Sequence, residues 1–265
     1  MENSESSNLL RWGGNIEERL GSEVISREGG VIVSPTKVGY IIMTTDRKGL
    51  ERKFRVKNRK RNKPGVVLCS SIEQLEELAE LNPQIQKLYT TCWEKDILLG
   101  CILPWRGDSI DRYVPEGSKA LMMDARQTSC FVVRFGVPSE NVCRMLWDDG
   151  RKLVFASSAN PSGQGNRGVI SGIGSAIEEG VDLRIEADDY VRGIQPEATL
   201  ETRYEQGVMV SMVDRTGQLV PEQPEDTRLE ENCPVLIRKG LDCERIQMLL
   251  SDNFNSWNYR HGDYY

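Results

Sequence analysis

Apolar residues along this chain recur at two spacings, and each change of spacing marks a new element. From residue 15 to 28 they fall on one side of a helix, which Gly29 and Gly30 end, and a strand follows at Val31 to Ser34. Asp46 caps a basic helix running to Lys57, and Val66 to Cys69 is short and apolar enough for a buried strand. Ser71 opens a capping box with Glu73 and Gln74 nearby, predicting a helix to Leu81, and a second helix runs from Pro83 to about Cys92. Strands are expected at Ile97 to Leu103, Ala120 to Asp124, Cys130 to Phe135 and Leu153 to Ser157, with a helix over Ser139 to Trp147. GQGNRG, from Gly163, predicts a mobile loop before a helix near Ile170 to Glu179. Val208 to Val213 and Val235 to Arg238 complete the strands, and the acidic, proline-bearing stretch Gln218 to Cys233 predicts a surface loop. Strands and helices intermixed in this way indicate an α/β sheet with helices on its faces, and no internal repeat is evident.

Composition removes several classes of function. With 38% hydrophobic and 28% charged residues over 265 positions, the chain can bury one large core. No apolar run approaches a membrane span, and MENSESSNLL lacks the charged start and apolar centre of a secretory signal, so a cytoplasmic protein without a membrane partner is expected. Seven cysteines without a CxxC pair suggest buried small apolar residues, not disulfides or metal ligands. His261 is the only histidine, which leaves no basis for a Ser-His-Asp triad or a His-rich metal centre.

The net charge of −6 disfavours nonspecific adhesion to nucleic acid, yet residues 47 to 63 hold ten Lys and Arg against the single acid Glu51. A solvated helix face, a polyphosphate site and an RNA contact all remain open for this cluster. Its end, KNRKRNKP at Lys57 to Pro64, offers Lys57 and Arg59 as partly solvated cations. SSANPSG at Ser157 to Gly163 offers hydroxyl and amide groups in a small-residue turn. Together they indicate a nucleoside triphosphate site.

These two segments and their spacing resemble the YrdC-type family of threonylcarbamoyl-adenylate synthases. The matching residues are Lys57, Arg59, Lys63 and Pro64, then Ser158, Asn160, Pro161, Ser162 and Gly163. GGVIVSPT at Gly29 to Thr36, VLCSSIEQLEELAEL, FVVRFGVP at Phe131 to Pro138 and VLIRKG at Val235 to Gly240 extend the likeness over roughly residues 20 to 250. The resemblance implies a YrdC-like domain over 15–250, with an N-terminal extension (1–14) and a polar aromatic tail (251–265). It further implies a twisted mixed sheet with flanking helices around an open nucleotide-binding cavity.

The activity it implies is ATP- and bicarbonate-dependent formation of a carbamoyl-adenylate on L-threonine or another amine, for tRNA modification. Lys57, Arg59, Ser158 and Asn160 are then the catalytic set. Arg134, Ser211 and Arg238 join them on the nucleotide, and Thr36, Tyr40 and Lys63 contact the amino acid. Mg2+ accompanies the triphosphate, held by phosphate oxygens and water, with no protein metal ligand assigned. Three departures fall where the family holds its amino acid. Lys37, Val38, Gly39 and Ile41 break the pattern after Pro35-Thr36, Glu94, Lys95 and Asp96 replace a Pro-Gly-Pro-x-Thr turn, and Leu68 stands where many relatives carry histidine. A diverged enzyme acting on another amine in specialised metabolism, and a noncatalytic nucleotide- or RNA-binding module, are the alternatives.

Overall fold

The computed structural model describes residues 8–57, 65–161, 163–199, 201–224, 228–229 and 231–262. Eleven strands form one mixed sheet: β1 (Leu9–Arg11), β2 (Ile32–Thr36), β3 (Gly39–Thr44), β4 (Val66–Leu68), β5 (Leu99–Pro104), β6 (Thr128–Val133), β7 (Val154–Ser158), β8 (Leu183–Glu186), β9 (Val208–Ser211), β10 (Val235–Arg238) and β11 (Asn258–Tyr259). Their spatial order is β1-β8-β2-β3-β7-β4-β6-β5-β9-β10-β11. The helices are α1 (Asn15–Ser26), α2 (Arg47–Lys57), α3 (Ile72–Leu78), α4 (Pro83–Glu94), α5 (Ser109–Tyr113), α6 (Lys119–Met122), α7 (Ser139–Gly150), α8 (Ser175–Gly180), α9 (Asp188–Ile194) and α10 (Cys243–Asn253).

Strand alternation sorts side chains to the two faces. Val67, Phe131, Phe155, Leu99 and Val210 point into the largest cluster, against Leu75, Leu88, Tyr89 and Leu250 from α3, α4 and α10. The neighbouring positions Leu68, Val154 and Ala156 point the other way, and Ile25, Val142 and Leu146 of α1 and α7 cover them. Ile102, Cys130, Met209, Val213 and Ile237 form a further buried cluster on that face, bordered by the half-buried Val66, Val132 and Val235.

Capping chemistry works as the sequence indicates. Asp46 Oδ1 accepts from Gly49 N at 2.8 Å, Ser71 Oγ from Gln74 N at 3.0 Å, and Asn82 Oδ1 from Ile85 N at 2.9 Å. Ala120–Asp124, expected as a strand, instead contains the end of the short helix α6. Its Met122 carbonyl accepts from Gly65 N (3.0 Å) and Ser129 Oγ (2.8 Å), so the segment buttresses β4 and β6 without pairing along them. Asp124 then reverses the chain into β6 by accepting from Arg126 N and Thr128 N. Residues 8–14 carry β1, which pairs with β8, and residues 254–262 carry β11, which pairs with β10. Among the described residues, no helix is long and apolar enough to cross a membrane.

Candidate nucleotide site at the end of β7

Lys57 is only 6% exposed, not the partly solvated cation expected from sequence. Its Nζ donates to the Ser158 carbonyl and lies 3.1 Å from Ser158 Oγ. The backbone explains why. On one side Ser158 faces Ile41 of β3, but on the other β4 begins only at Val66, opposite Ala156. The Ser158 carbonyl therefore lies past the start of the β4 ladder, and the last residue of α2 supplies its donor. One turn earlier Lys53, also buried, sets its Nζ 3.5 Å from the Ala156 carbonyl. The buried face of α2 thus places ammonium groups along the end of β7, and Ser158 itself is exposed.

Asn160 follows within two residues, and its amide is oriented. Nδ2 donates to Pro161 O at 2.8 Å, while Oδ1 is buried with no hydrogen-bond partner. Flipping the amide would set two oxygens against each other, so the oxygen is the atom left to accept. Ser157 Oγ is likewise buried and unpartnered. Two orphaned buried polar atoms within two residues of Ser158 cost stability unless a ligand or water satisfies them. Arg59, Lys63, Pro64 and Ser162 lie outside the described residues.

Of the other expected site residues, Tyr40 adjoins the turn, its carbonyl accepting from Ala159 N at 2.7 Å, and the rest are dispersed. Ser211, itself buried, lies in a cross-strand row running Ala156, Val66, Cys130, Ile102, Ser211. Four strand steps separate it from β7, about 19 Å along a flat sheet. Arg238, on the neighbouring strand, donates through Nε to Gly207 O at 2.8 Å. Thr36 Oγ1 is used within its own turn, donating to Gly39 O at 2.6 Å and accepting from Val38 N at 3.2 Å. Tyr40 is buried with its hydroxyl donating to Asp188 Oδ1 (2.5 Å) and accepting from Ala187 N (2.9 Å). Burial and then Asp188 push that phenol far up, which keeps it a neutral bracing group.

Arg134 belongs to a separate polar cluster that sequence reasoning did not assemble. With φ at 55°, it donates from Nε to Trp93 O (2.8 Å) and stacks 4.0 Å over the Trp93 ring. Asp96 Oδ1 lies 3.7 Å from Arg134 Nε and 2.7 Å from Lys37 Nζ. Lys37 and Asp96 are both departures from the family pattern, 59 positions apart, and they meet. Tyr190 lies beside them, its phenol pushed up to about 12 by burial and then by Glu140. The signal available in the sequence was the departures themselves: a lysine directly after Pro-Thr and an acid in a turn.

The GQGNRG loop is tied to this end of the sheet. Asn166 Nδ2 donates to Tyr40 O at 2.8 Å, and its Oδ1 accepts from Gly168 N at 3.0 Å. On α2, Arg47 pairs with Glu51, Lys48 with Glu28 and Arg52 with Asp182, so much of the basic helix face is engaged within the molecule. No group of three His, Cys, Asp or Glu among the described residues could hold a metal ion.

Residues 24–200 match the family profile Sua5_yciO_yrdC, described as "Telomere recombination". The chain belongs to the Sua5/YciO/YrdC family. A hypothetical protein of Streptococcus mutans, smu.1377c, is 56% identical over 97% of this chain and 98% of its own, with a TM-score of 0.89. Sua5 of P. abyssi, crystallised with L-threonine, is 19% identical over 95% of this chain and 62% of its own, with a TM-score of 0.62. YciO of E. coli is 18% identical over 88% and 94%, with a TM-score of 0.59. No curated protein matches the chain. Sua5 and YciO share with this family member the large mixed sheet flanked by helices, and at that identity the likeness is one of fold.

Proposed function

We propose that this Sua5/YciO/YrdC protein is an enzyme that forms a carbamoyl-adenylate from ATP, bicarbonate and an amino acid. The carrying observation is the buried Lys57 ammonium fixed on Ser158, two residues before Asn160, whose buried oxygen has no partner. That arrangement supplies a desolvated cation, an exposed hydroxyl and an unpartnered acceptor at the end of β7. In such surroundings a cation stabilises phosphate charge more strongly than it would in water.

The reaction is conserved in atoms and charge carriers. The amine displaces water from bicarbonate to give a carbamate; a carbamate oxygen then bonds to the α-phosphorus, and the bond to the β-phosphate bridging oxygen breaks to release pyrophosphate. Lys57 faces the phosphate oxygens, and Ser158 Oγ donates to them. Asn160 Oδ1 can accept only from a donor, so it suits the carbamate N–H or a ribose hydroxyl better than a phosphate oxygen. Proximity in a site protected from bulk water supplies most of the rate, because the carbamate is short-lived in solution. Mg2+ arrives with the triphosphate. The Sua5 structure with L-threonine supports an amino acid as the amine.

A particular observation favours an amine other than threonine. Val38, Ile41, Val66 and Val132 are half-buried and pack against the cluster that contains Leu68, giving the site an apolar border. A threonine hydroxyl placed there lacks a partner, at a cost of about 1–3 kcal/mol, a five- to hundredfold loss. The test is pyrophosphate release from ATP and bicarbonate with each common amino acid in turn. Release with an apolar β-branched amino acid ahead of threonine, and a shift toward threonine in Val38→Thr, would support the diverged-amine reading. Preference for L-threonine in the wild type would remove it and leave the threonine assignment. Absence of release with every amino acid would remove the proposal itself.

A further inference from the structure

The peptide group between Ser158 and Ala159 is held from both sides. Its carbonyl accepts from Lys57 Nζ, and its N–H donates to the Tyr40 carbonyl at 2.7 Å. Tyr40 is in turn fixed at its far end, where the hydroxyl donates to Asp188 Oδ1 at 2.5 Å and accepts from Ala187 N at 2.9 Å. The same Asp188 oxygen accepts from Ile170 N at 2.8 Å, and the same Tyr40 carbonyl accepts from Asn166 Nδ2 at 2.8 Å. Each oxygen therefore takes one donor on the path to the Ser158 turn and one from residues 163–170. Asp188 has its own anchor where β8 passes into α9, because its backbone N donates to Glu186 Oε1 at 2.8 Å. Ala159, Tyr40 and Ile170 pack in one buried cluster, and hydrogen bonds linked in such surroundings reinforce one another.

We infer that Asp188 is a positioning residue for the nucleotide site, and that through Tyr40 it fixes the peptide flanked by Ser158 Oγ and Asn160 Oδ1. It acts on the turn and not on the ligand. The inference rests on the reading of Ser158 and Asn160 as nucleotide contacts, and not on which amine is joined. A turn already held in place is not ordered at the moment of binding, so its hydroxyl and amide meet the ligand at a smaller entropic cost. The phenol keeps its proton, since burial and then Asp188 push it far up, and a phenol that donates to a carboxylate makes a strong, charge-assisted bond. Tyr40 and Asp188 lie 148 positions apart, so no local motif joins them.

Asp188→Ala removes the acceptor of both donors, whereas Asp188→Asn keeps an oxygen that can take both. Calorimetric titration of the wild type and each variant with ATP, well below the melting transition, needs no turnover. The expected result is about tenfold weaker ATP binding by Asp188→Ala, with Asp188→Asn within about twofold of wild type. Tyr40→Phe, which removes the hydroxyl and leaves the carbonyl, makes the same comparison where Asp188→Ala does not fold, with an expected loss of about fivefold. A role in stability alone lowers the melting temperature and leaves the affinity of the folded protein as it was. Wild-type affinity in folded Asp188→Ala or Tyr40→Phe would therefore overturn the inference, as would a loss in Asp188→Asn equal to that in Asp188→Ala, or no ATP binding by the wild type. The expected affinities without pyrophosphate release from ATP and bicarbonate with any amino acid would keep the role of Asp188 and remove the carbamoyl-adenylate reading instead.

Discussion

Lys57 concentrates the chemical argument in a single side chain. Its ammonium is buried, bonded to the Ser158 carbonyl and within 3.1 Å of the Ser158 hydroxyl, so it satisfies the strand end and, in the proposed site, would also meet the phosphates. Lys57→Ala removes a charge-assisted phosphate contact, and about 1.5–3 kcal/mol of binding, roughly ten- to hundredfold in ATP affinity, should be lost. Truncation also leaves the Ser158 carbonyl without its donor, at a cost of about 1–3 kcal/mol in stability. Titration with ATP at a temperature well below the variant's melting transition separates the two effects. Unchanged affinity in a folded variant would sink the assignment of the site. Sequence motifs made Lys57, Ser158 and Asn160 legible because all three lie in short segments of unusual chemistry. Burial of Lys57 was not legible, because it follows from where β4 begins relative to β7. Nor was the encounter of Lys37 with Asp96, which depends on two turns converging from distant parts of the chain.

At the scale of elements, local pattern gave the helices with clear caps and the strands with long apolar runs. α2, α3, α4 and α7 fall close to their expected bounds, since Asp46, Ser71, Asn82 and Pro83 act locally. Tertiary context decides the rest. β3 follows β2 after only Lys37 and Val38, and its apolar run is not separated from β2 by a strong turn signal. β8 and β11 are too short to stand out, and α6 takes a run that also fits a strand. The β2–β3 hairpin has its own requirement. Gly39 has φ at 97°, and a Cβ there would stand 2.1 Å from Asn166 Oδ1. Gly39→Ala should therefore displace Asn166 from the Tyr40 carbonyl and destabilise the protein by about 1–3 kcal/mol, combining backbone strain with a lost buried bond. A melting temperature equal to wild type would contradict that account of how residues 163–168 are held to the sheet.

For the whole molecule, one sheet joins the two ends of the described chain to its centre. The cysteine reading agrees with this packing: all seven are free, and Cys243 alone is half-buried while the others lie in the interior. Burial pushes the Cys130 thiol up to about 12, which suits an inert packing group. The central claim is that the protein joins bicarbonate, an amine and ATP. The most direct measurement incubates the protein with ATP, isotopically labelled bicarbonate and its preferred amino acid, and follows label in the nucleotide product alongside pyrophosphate. The account predicts one labelled carbon per pyrophosphate released, with both lost in carbonate-depleted buffer and in Lys57→Ala. Undiminished pyrophosphate release without bicarbonate, or a nucleotide product carrying no label, would contradict it.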